Sequence, residues 1–309
     1  MSLIDTIFTN TVLSPQRNAG SMERRRCPGK KAPDSPYMPD IYRLRIISNS
    51  EAAGDAYLLT LHAPQIARSC QPGNFVQLKI DFPGGGLWRR PFSILDSDGD
   101  NIRILYKALG RGTSYLTCFT PDMELNAIGA LGNSFSEPGR LDSIVLAGGG
   151  IGVPPLYFLA KDLLDKGYLP ENIHFFNGAA DAGALVFLDE IADLGVSTYA
   201  VTEDGSMGIK GFVTEGVMQF LMGVKKTPVK KDTSLYACGP NPMLHVVSKL
   251  AEEYDINCQL ALESLMPCGF GICMGCAVKV RDKNTTEGYS FRRVCHEGPI
   301  FNARDIIWE

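Results

Sequence analysis

The 309-residue chain is marked first by what it does not contain. It has no charged stretch followed by an apolar run at its start, so no secretion signal is read there and a cytoplasmic setting is expected. It has no surplus of positive charge: 30 Lys and Arg against 34 Asp and Glu give a formal net charge of −4. That balance excludes bulk nucleic-acid binding, which needs a basic surface to neutralise phosphate. It also lacks an uninterrupted apolar run of membrane-spanning length. The one long uncharged stretch, 143–160, is broken by Gly148, Gly149, Gly150, Gly152, Pro154 and Pro155, a pattern of strand, turn and helix start. Internal repeats are absent, and the nine cysteines are an odd count that argues against a disulfide framework. With 45% hydrophobic and 21% charged residues, the chain has the composition of about two globular domains with room for a small third.

What is present begins with those cysteines. Cys268, Cys273 and Cys276 lie within nine residues at C-x4-C-x2-C spacing, and Cys295 follows after a further 18. This is the plant-type [2Fe–2S] spacing rather than the paired C-x2-C of most zinc ribbons. Gly269, Gly271 and Gly275 between them permit the positive-φ backbone that turns N–H groups toward sulfur. A zinc site or a group of core cysteines is the alternative at this point. A one-electron carrier needs few residues beyond such a loop, so the remainder should hold a two-electron donor site and a flavin.

From 41 to 140 short β runs at 42–48, 57–62, 74–80, 92–96, 102–106 and 124–128 predict a small antiparallel barrel. From 141 strands alternate with helical stretches, which predicts a parallel doubly wound sheet. Residues 1–40 hold five prolines and a basic run without periodicity and are expected to be an extension, with Met22 as an alternative start. The expected organisation is therefore multidomain: an extension at 1–40, an antiparallel β-barrel FAD domain at 41–140, an α/β parallel-sheet NAD domain at 141–257, and a small C-terminal [2Fe–2S] domain at 258–309. The insert at 223–233, with four lysines, reads as a solvated loop.

Arg90-Pro91-Phe92-Ser93 brings a guanidinium for pyrophosphate, an aromatic face and a hydroxyl for a flavin ring nitrogen into four positions. Leu105, Tyr106 and Lys107 end a strand, and Gly112-Thr113 lead into a helix start suited to an anion. Each piece also reads as an ordinary strand or turn. Gly148, Gly149, Gly150 and Gly152 form a glycine turn between strand and helix, suited to a pyrophosphate although not a strict G-x-G-x-x-G. Cys238, Gly239, Pro240 and Met243 form a second such turn, for which a buried structural cysteine is the alternative. No Lys or Arg occurs between Lys166 and Lys210, which favours NAD over its 2′-phosphorylated form.

In this order, Arg90 to Ser93, Tyr106, Gly112-Thr113, the glycine turn and Cys238-Gly239-Pro240 with Met243 resemble the ferredoxin-reductase flavoprotein superfamily. With the cysteine loop, Glu263 before it and Cys295-His296-Glu297-Gly298-Pro299 after it, residues 41–309 resemble the electron-transfer subunits of dihydroorotate dehydrogenase B. The resemblance implies FAD, NAD and a [2Fe–2S] cluster on Cys268, Cys273, Cys276 and Cys295, with Cys238 near the nicotinamide. It also implies an FMN-containing catalytic partner subunit in a heterotetramer, and no pyrimidine chemistry on this chain. A reductase subunit of another complex (ferredoxin:NADP, sulfide or sulfite, or hydrogenase type) is the nearest alternative, and a redox-sensing module is the more distant one.

Overall fold

Alternating apolar residues in the first half build seven antiparallel strands and two short helices: β1 (Ile41–Glu51), β2 (Ala56–His62), α1 (Pro64–Ala67), β3 (Phe75–Lys79), β4 (Arg90–Ser93), β5 (Asp96–Asp98), β6 (Asn101–Lys107), α2 (Arg111–Leu116) and β7 (Glu124–Leu131). The computed structural model describes residues 40–53, 56–84, 88–140, 143–225 and 233–308. The expectations for 1–39 and for most of the lysine insert lie outside these residues. Leu44, Ile46, Leu59, Leu61, Val76, Leu78, Ile102 and Ile104 face one another as the core of the first sheet, which is ordered β4-β3-β7-β1-β2-β6-β5.

The expected barrel is not closed by a ladder, and the strand expected at 92–96 is two strands. The edges of the sheet are β4 and β5, consecutive in the chain and separated only by Ile94 and Leu95. The Ile94 N–H donates to the carbonyl of Asn74 beside β3 (3.1 Å), and the Leu95 N–H donates to that of Arg103 in β6 (2.8 Å). Successive backbone donors are thus committed to opposite edges, and the chain itself makes the crossing.

The second half forms β8 (Ser143–Gly149), α3 (Val153–Asp165), β9 (Ile173–Ala179), α4 (Leu188–Asp193), β10 (Ser197–Thr202), β11 (Ile209–Lys210), α5 (Val213–Lys225), β12 (Thr233–Cys238), α6 (Asn241–Glu253) and β13 (Asn257–Ala261). The hairpin β14 (Ala277–Arg281) and β15 (Tyr289–Arg293) follows, then β16 (Ile300–Asn302). The sheet runs β11-β10-β9-β8-β12-β13-β16, parallel except for β16 against β13. The boundary expected at 257 therefore falls at the start of a strand of this same sheet. The cysteine segment is an excursion between β13 and the returning edge strand β16. Gly223, read as part of a loop, lies in α5.

The two sheets share one unit, Met38–Glu309, and apolar residues of both, such as Leu105 and Ala56 with Leu146 and Val153, pack in one cluster. A buried ion group ties them. Asp96 on β5 accepts from Arg103 Nε (2.7 Å) and Nη2 (2.5 Å), and from Lys161 Nζ of α3 (3.0 Å). Burial alone would raise the Asp96 carboxyl, but the two cations hold it below the usual carboxylate range. Asp96→Asn leaves two cations facing an uncharged group and should cost about 3 kcal/mol. Because the native carboxyl titrates below its unfolded value, its contribution is complete above about pH 4 and is lost as pH falls through the lowered native value. Urea unfolding across pH 3–7 should show that acid limb in the parent and its reduction in the variant.

Candidate cofactor sites

Close contact between two strand-to-helix turns explains the glycines of the α/β half. Since β8 and β12 are parallel neighbours, with Cys238 opposite Gly148, their following turns meet at the carboxyl edge of the sheet. A Cβ on Gly152 would lie 2.2 Å from the Cys238 carbonyl oxygen, and one on Gly149 would lie 2.4 Å from Met243 Sδ. Beside these turns a cavity of about 420 Å³ opens, lined by Gly149, Gly150, Pro240, Met243 and, from the end of β10, Glu203. Among the described residues, no Lys, Arg or His is in its lining. Gly148, Gly152, Cys238 and Gly239 belong to the same two turns but are not among the lining residues. Burial drives the Cys238 thiol far up, with Glu263 adding to the effect. Glu263 keeps an exposed edge while its carboxyl, crowded by protein, is raised too.

On the first sheet, Arg90 lies flat against the start of α2: a Cβ on Gly112 would collide with its guanidinium at 2.2–2.4 Å. Arg90 and Arg111 both face the Phe82 ring, at 5.4 and 5.6 Å, so two cations gather around one aromatic ring, an arrangement suited to a diphosphate. Thr113 is engaged locally, since its hydroxyl accepts from the Gly110 N–H (3.1 Å) and caps a six-residue helix. Phe92 and Tyr106 are core residues with rings edge to face at 5.9 Å. The Tyr106 hydroxyl donates to Asn49 (3.0 Å), and its pKa is pushed up to about 12 by burial. Leu105 is buried beside it, Lys107 is half-buried at the strand end, and Pro91 and Ser93 occupy the other face of β4.

The four cysteines of the C-terminal loop come together as two neighbouring pairs, Cys268 with Cys273 and Cys276 with Cys295. Among the described residues no three His, Cys, Asp or Glu side chains converge on a single ion position. Two adjoining pairs are what two irons sharing four thiolates need. Gly269 (φ +81°) and Gly271 (φ +87°) make the turns, and the Gly271 N–H donates to Cys295 Sγ (3.1 Å), the Cys295 N–H to Cys276 Sγ (3.4 Å) and the Gly275 N–H to Cys273 Sγ (3.4 Å). Burial pushes the Cys268 thiol up, but backbone N–H groups of Cys273, Phe270 and Ile272 outweigh it and bring it to about 6. Burial, and then Cys276 beside it, pushes Cys295 up to about 12. These donors fit an anionic sulfur group.

Two comparisons with known families match parts of the chain: the iron-sulfur cluster binding domain of dihydroorotate dehydrogenase B at residues 263–307, and the oxidoreductase NAD-binding domain at 146–249. The electron transfer subunit of dihydroorotate dehydrogenase B (NAD(+)) from Shouchella clausii is 33% identical over 270 residues, 86% of this chain and 97% of that one. That of Geobacillus thermodenitrificans is 35% identical over 272 residues, 86% and 98% of the two chains. The chain belongs to the dihydroorotate dehydrogenase B electron transfer subunit family. A solved NADH-dependent reduced ferredoxin-NADP oxidoreductase, described for flavin-based electron bifurcation, has 26% identity and a TM-score of 0.72 over 86% of this chain and 90% of that one. The ferredoxin-NADP+ reductase of Plasmodium falciparum, at 14% identity and a TM-score of 0.56, covers 69% of this chain and 91% of that one and shows the shared fold.

Three contacts around the sites of this family member are not legible in the sequence. Arg293 on β15 donates from Nη1 to the Gly271 carbonyl (2.5 Å) and is held by Glu297, whose pKa Arg293 lowers to about 2. Asn133, just after β7, donates to the Glu297 and Ile300 carbonyls (3.0 and 2.8 Å) and accepts from the Ile300 N–H (2.9 Å). Gln77 on β3 lies against Gly269. The sequence signal for the first two is only proximity to Cys295 or to a strand end.

Gly152→Ala should force the two α/β turns apart. NADH affinity measured by titration should weaken roughly tenfold, about 1.4 kcal/mol, with the visible absorbance of the C-terminal loop's metal group unchanged.

Proposed function

We propose that this chain is the electron transfer subunit of an NAD-dependent dihydroorotate dehydrogenase, passing electrons from a partner FMN subunit to NAD+ in pyrimidine synthesis. When bound, FAD exchanges a hydride with NAD and single electrons with a [2Fe–2S] cluster, which joins two-electron to one-electron chemistry. The observation that carries the reading is the placement of the two thiol pairs on a loop that leaves and rejoins the α/β sheet and rests on the first sheet at Asn133 and Gln77.

The segments from 41 onward divide the work. Cys268, Cys273, Cys276 and Cys295 hold the cluster. Arg90, with Pro91, Phe92 and Ser93 on β4, Leu105, Tyr106 and Lys107 on β6, and Gly112 and Thr113 at α2, forms the FAD site, with Arg90 turned to the diphosphate. Gly148, Gly149, Gly150, Gly152, Cys238, Gly239, Pro240 and Met243 form the NAD side. The cavity there presents Glu203 and, among the described residues, no cation, so a ribose 2′-hydroxyl finds an acceptor where a 2′-phosphate would be repelled. In domain terms, 41–140 serves FAD, 141–257 serves NAD and 258–309 serves the cluster, with β13 and β16 shared between the last two. Leu265, Ile272 and Met274, exposed in or beside the cysteine loop, offer an apolar surface on which the FMN-containing catalytic subunit docks, giving a heterotetramer. The oxidation-sensitive cluster is the reason for placing the assembly in the cytoplasm. Among the described residues no helix is long and apolar enough to cross a membrane.

The second reading, a reductase subunit of a different complex, is favoured by the likeness to the ferredoxin-NADP oxidoreductase. An anaerobic pull-down of the tagged chain from its own host separates the two. Dihydroorotate-dependent NADH formation by the eluate, with a co-purified FMN protein, supports the first reading; another oxidoreductase without that activity supports the second. Cys273→Ser in the assembled complex should retain NADH-dependent bleaching of the flavin and lose at least 90% of dihydroorotate-to-NAD+ electron flow, the threshold being about 1.4 kcal/mol of barrier. Both are followed by stopped-flow absorbance.

A further inference from the structure

Gln77 occupies the middle of β3, opposite Pro91 of the flavin segment on β4 and Ile128 on β7. Its neighbours Val76 and Leu78 point into the core of the first sheet, so by strand alternation Gln77 points to the other face. That face is not solvated here. Gln77 is 0% exposed, and neither Oε1 nor Nε2 of its carboxamide has a hydrogen-bond partner among the described residues. The cysteine loop covers it. A Cβ built on Gly269, the residue after Cys268, would lie 2.4 Å from Gln77 Nε2 and 2.5 Å from Cδ and Cγ. Only a glycine lets the loop lie this close, and its φ of +81° independently favours glycine.

A buried carboxamide with both ends unpaired destabilises a fold, so its place under this loop calls for a group that supplies the missing partner. The candidate for the donor end is an anionic sulfur group beside Gly269, which accepts from Nε2–H and leaves Oε1 as it is. We propose that Gln77 is a positioning residue of the electron path, its Nε2–H donating across the seam between the first sheet and the loop to the sulfur of the cluster held at Cys268, Cys273, Cys276 and Cys295. Reduction adds negative charge to those sulfurs, so a donor stabilises the reduced form and raises the potential. The inference rests on the cluster reading above and adds the residue that sets the potential from the flavin side.

The test uses the full chain purified anaerobically with its cofactors, together with Gln77→Leu and the volume-conserving Gln77→Met. Redox titration followed by electron paramagnetic resonance for the cluster and by absorbance for the flavin should show the cluster midpoint potential moving negative in both variants, with that of the flavin unchanged. The cluster-free form of each variant should melt at a higher temperature than the cluster-free parent, because the unpaired amide is gone. In the parent grown with side-chain-amide 15N-glutamine, the reduced cluster should show a weak nitrogen hyperfine coupling that Gln77→Met abolishes. This last measurement does not depend on how well the leucine variant folds. An unmoved cluster potential in both variants, a shift confined to the flavin, or no amide coupling in the parent overturns the proposal. Absence of iron and labile sulfide from the parent itself overturns the cluster reading instead.

Discussion

The side-chain amide of Asn133 is the contact through which the two halves of the chain and the cysteine loop are brought to one place. Standing one residue beyond Gly132 at the end of β7, it spans the chain from Glu297 to Ile300 with both its donor and its acceptor. Its backbone N–H adds a bond to the Gly298 carbonyl (2.7 Å). Asn74 secures the other side, donating to the carbonyls of Gly132 and Asn133 (3.1 Å each) while accepting from the Gln71 N–H (2.8 Å). The segment so held joins Cys295 to β16, and β16 is an edge strand of the α/β sheet. Displacing that segment therefore moves the Cys295 thiol and a strand together.

The linker after β7 extends the same logic. Ser136 exchanges hydrogen bonds with the buried Gln259 of β13 through its N–H and carbonyl (2.8 and 3.1 Å), and that carbonyl also accepts from the Tyr236 hydroxyl of β12 (2.9 Å). Polar side chains buried at a junction are specific in direction as well as favourable when satisfied. Together with Asp96 and its two cations they leave little freedom for hinge motion between the halves. A relay between fixed groups is served by that rigidity, because each transfer depends on a separation that the fold, rather than a closing step, must set.

What could be read from the sequence divides by range. The cysteine spacing, the glycine turn after β8 and the Cys238 turn were legible because each is local chemistry, a set of residue types whose separation fixes what backbone and donors can do. Strand pairing was legible in kind but not in partner. The run 92–96 has good strand composition throughout, and nothing local says that Ile94 and Leu95 donate to opposite edges. Asn257–Ala261 has the composition of a strand, yet its membership of the α/β sheet depends on β12 beside it, and the return of Ile300–Asn302 depends on Asn133, more than 160 positions away. Phe92 was expected from its type to offer a face to a ring system. Its side chain packs in the core, because on β4 the alternation turns it inward. Gln77 was invisible for the same reason, since a polar residue between Val76 and Leu78 has the pattern of a solvated strand face.

The electrostatics of the loop follow from those placements rather than from any charged ligand residue. Cys268 lies where the chain reverses, so several N–H groups point at one sulfur and its anionic form is favoured despite partial burial. Cys295 lies where β15 has ended and core residues such as Val294 close in, so burial dominates and its thiol is raised. Left alone, that asymmetry favours one thiolate over the other. A metal group shared by all four sulfurs would remove it, because coordination would replace each proton whatever the local field. Arg293, whose charge the loop carbonyl recruits, is already neutralised by Glu297 and serves chiefly to hold the carbonyl of Gly271, the residue whose own N–H, in the preceding peptide, meets Cys295. The backbone, not side-chain charge, is therefore what this fold uses to stabilise negative sulfur. Any residue that reaches the sulfurs from outside the loop acts on a site whose own donors are already in place.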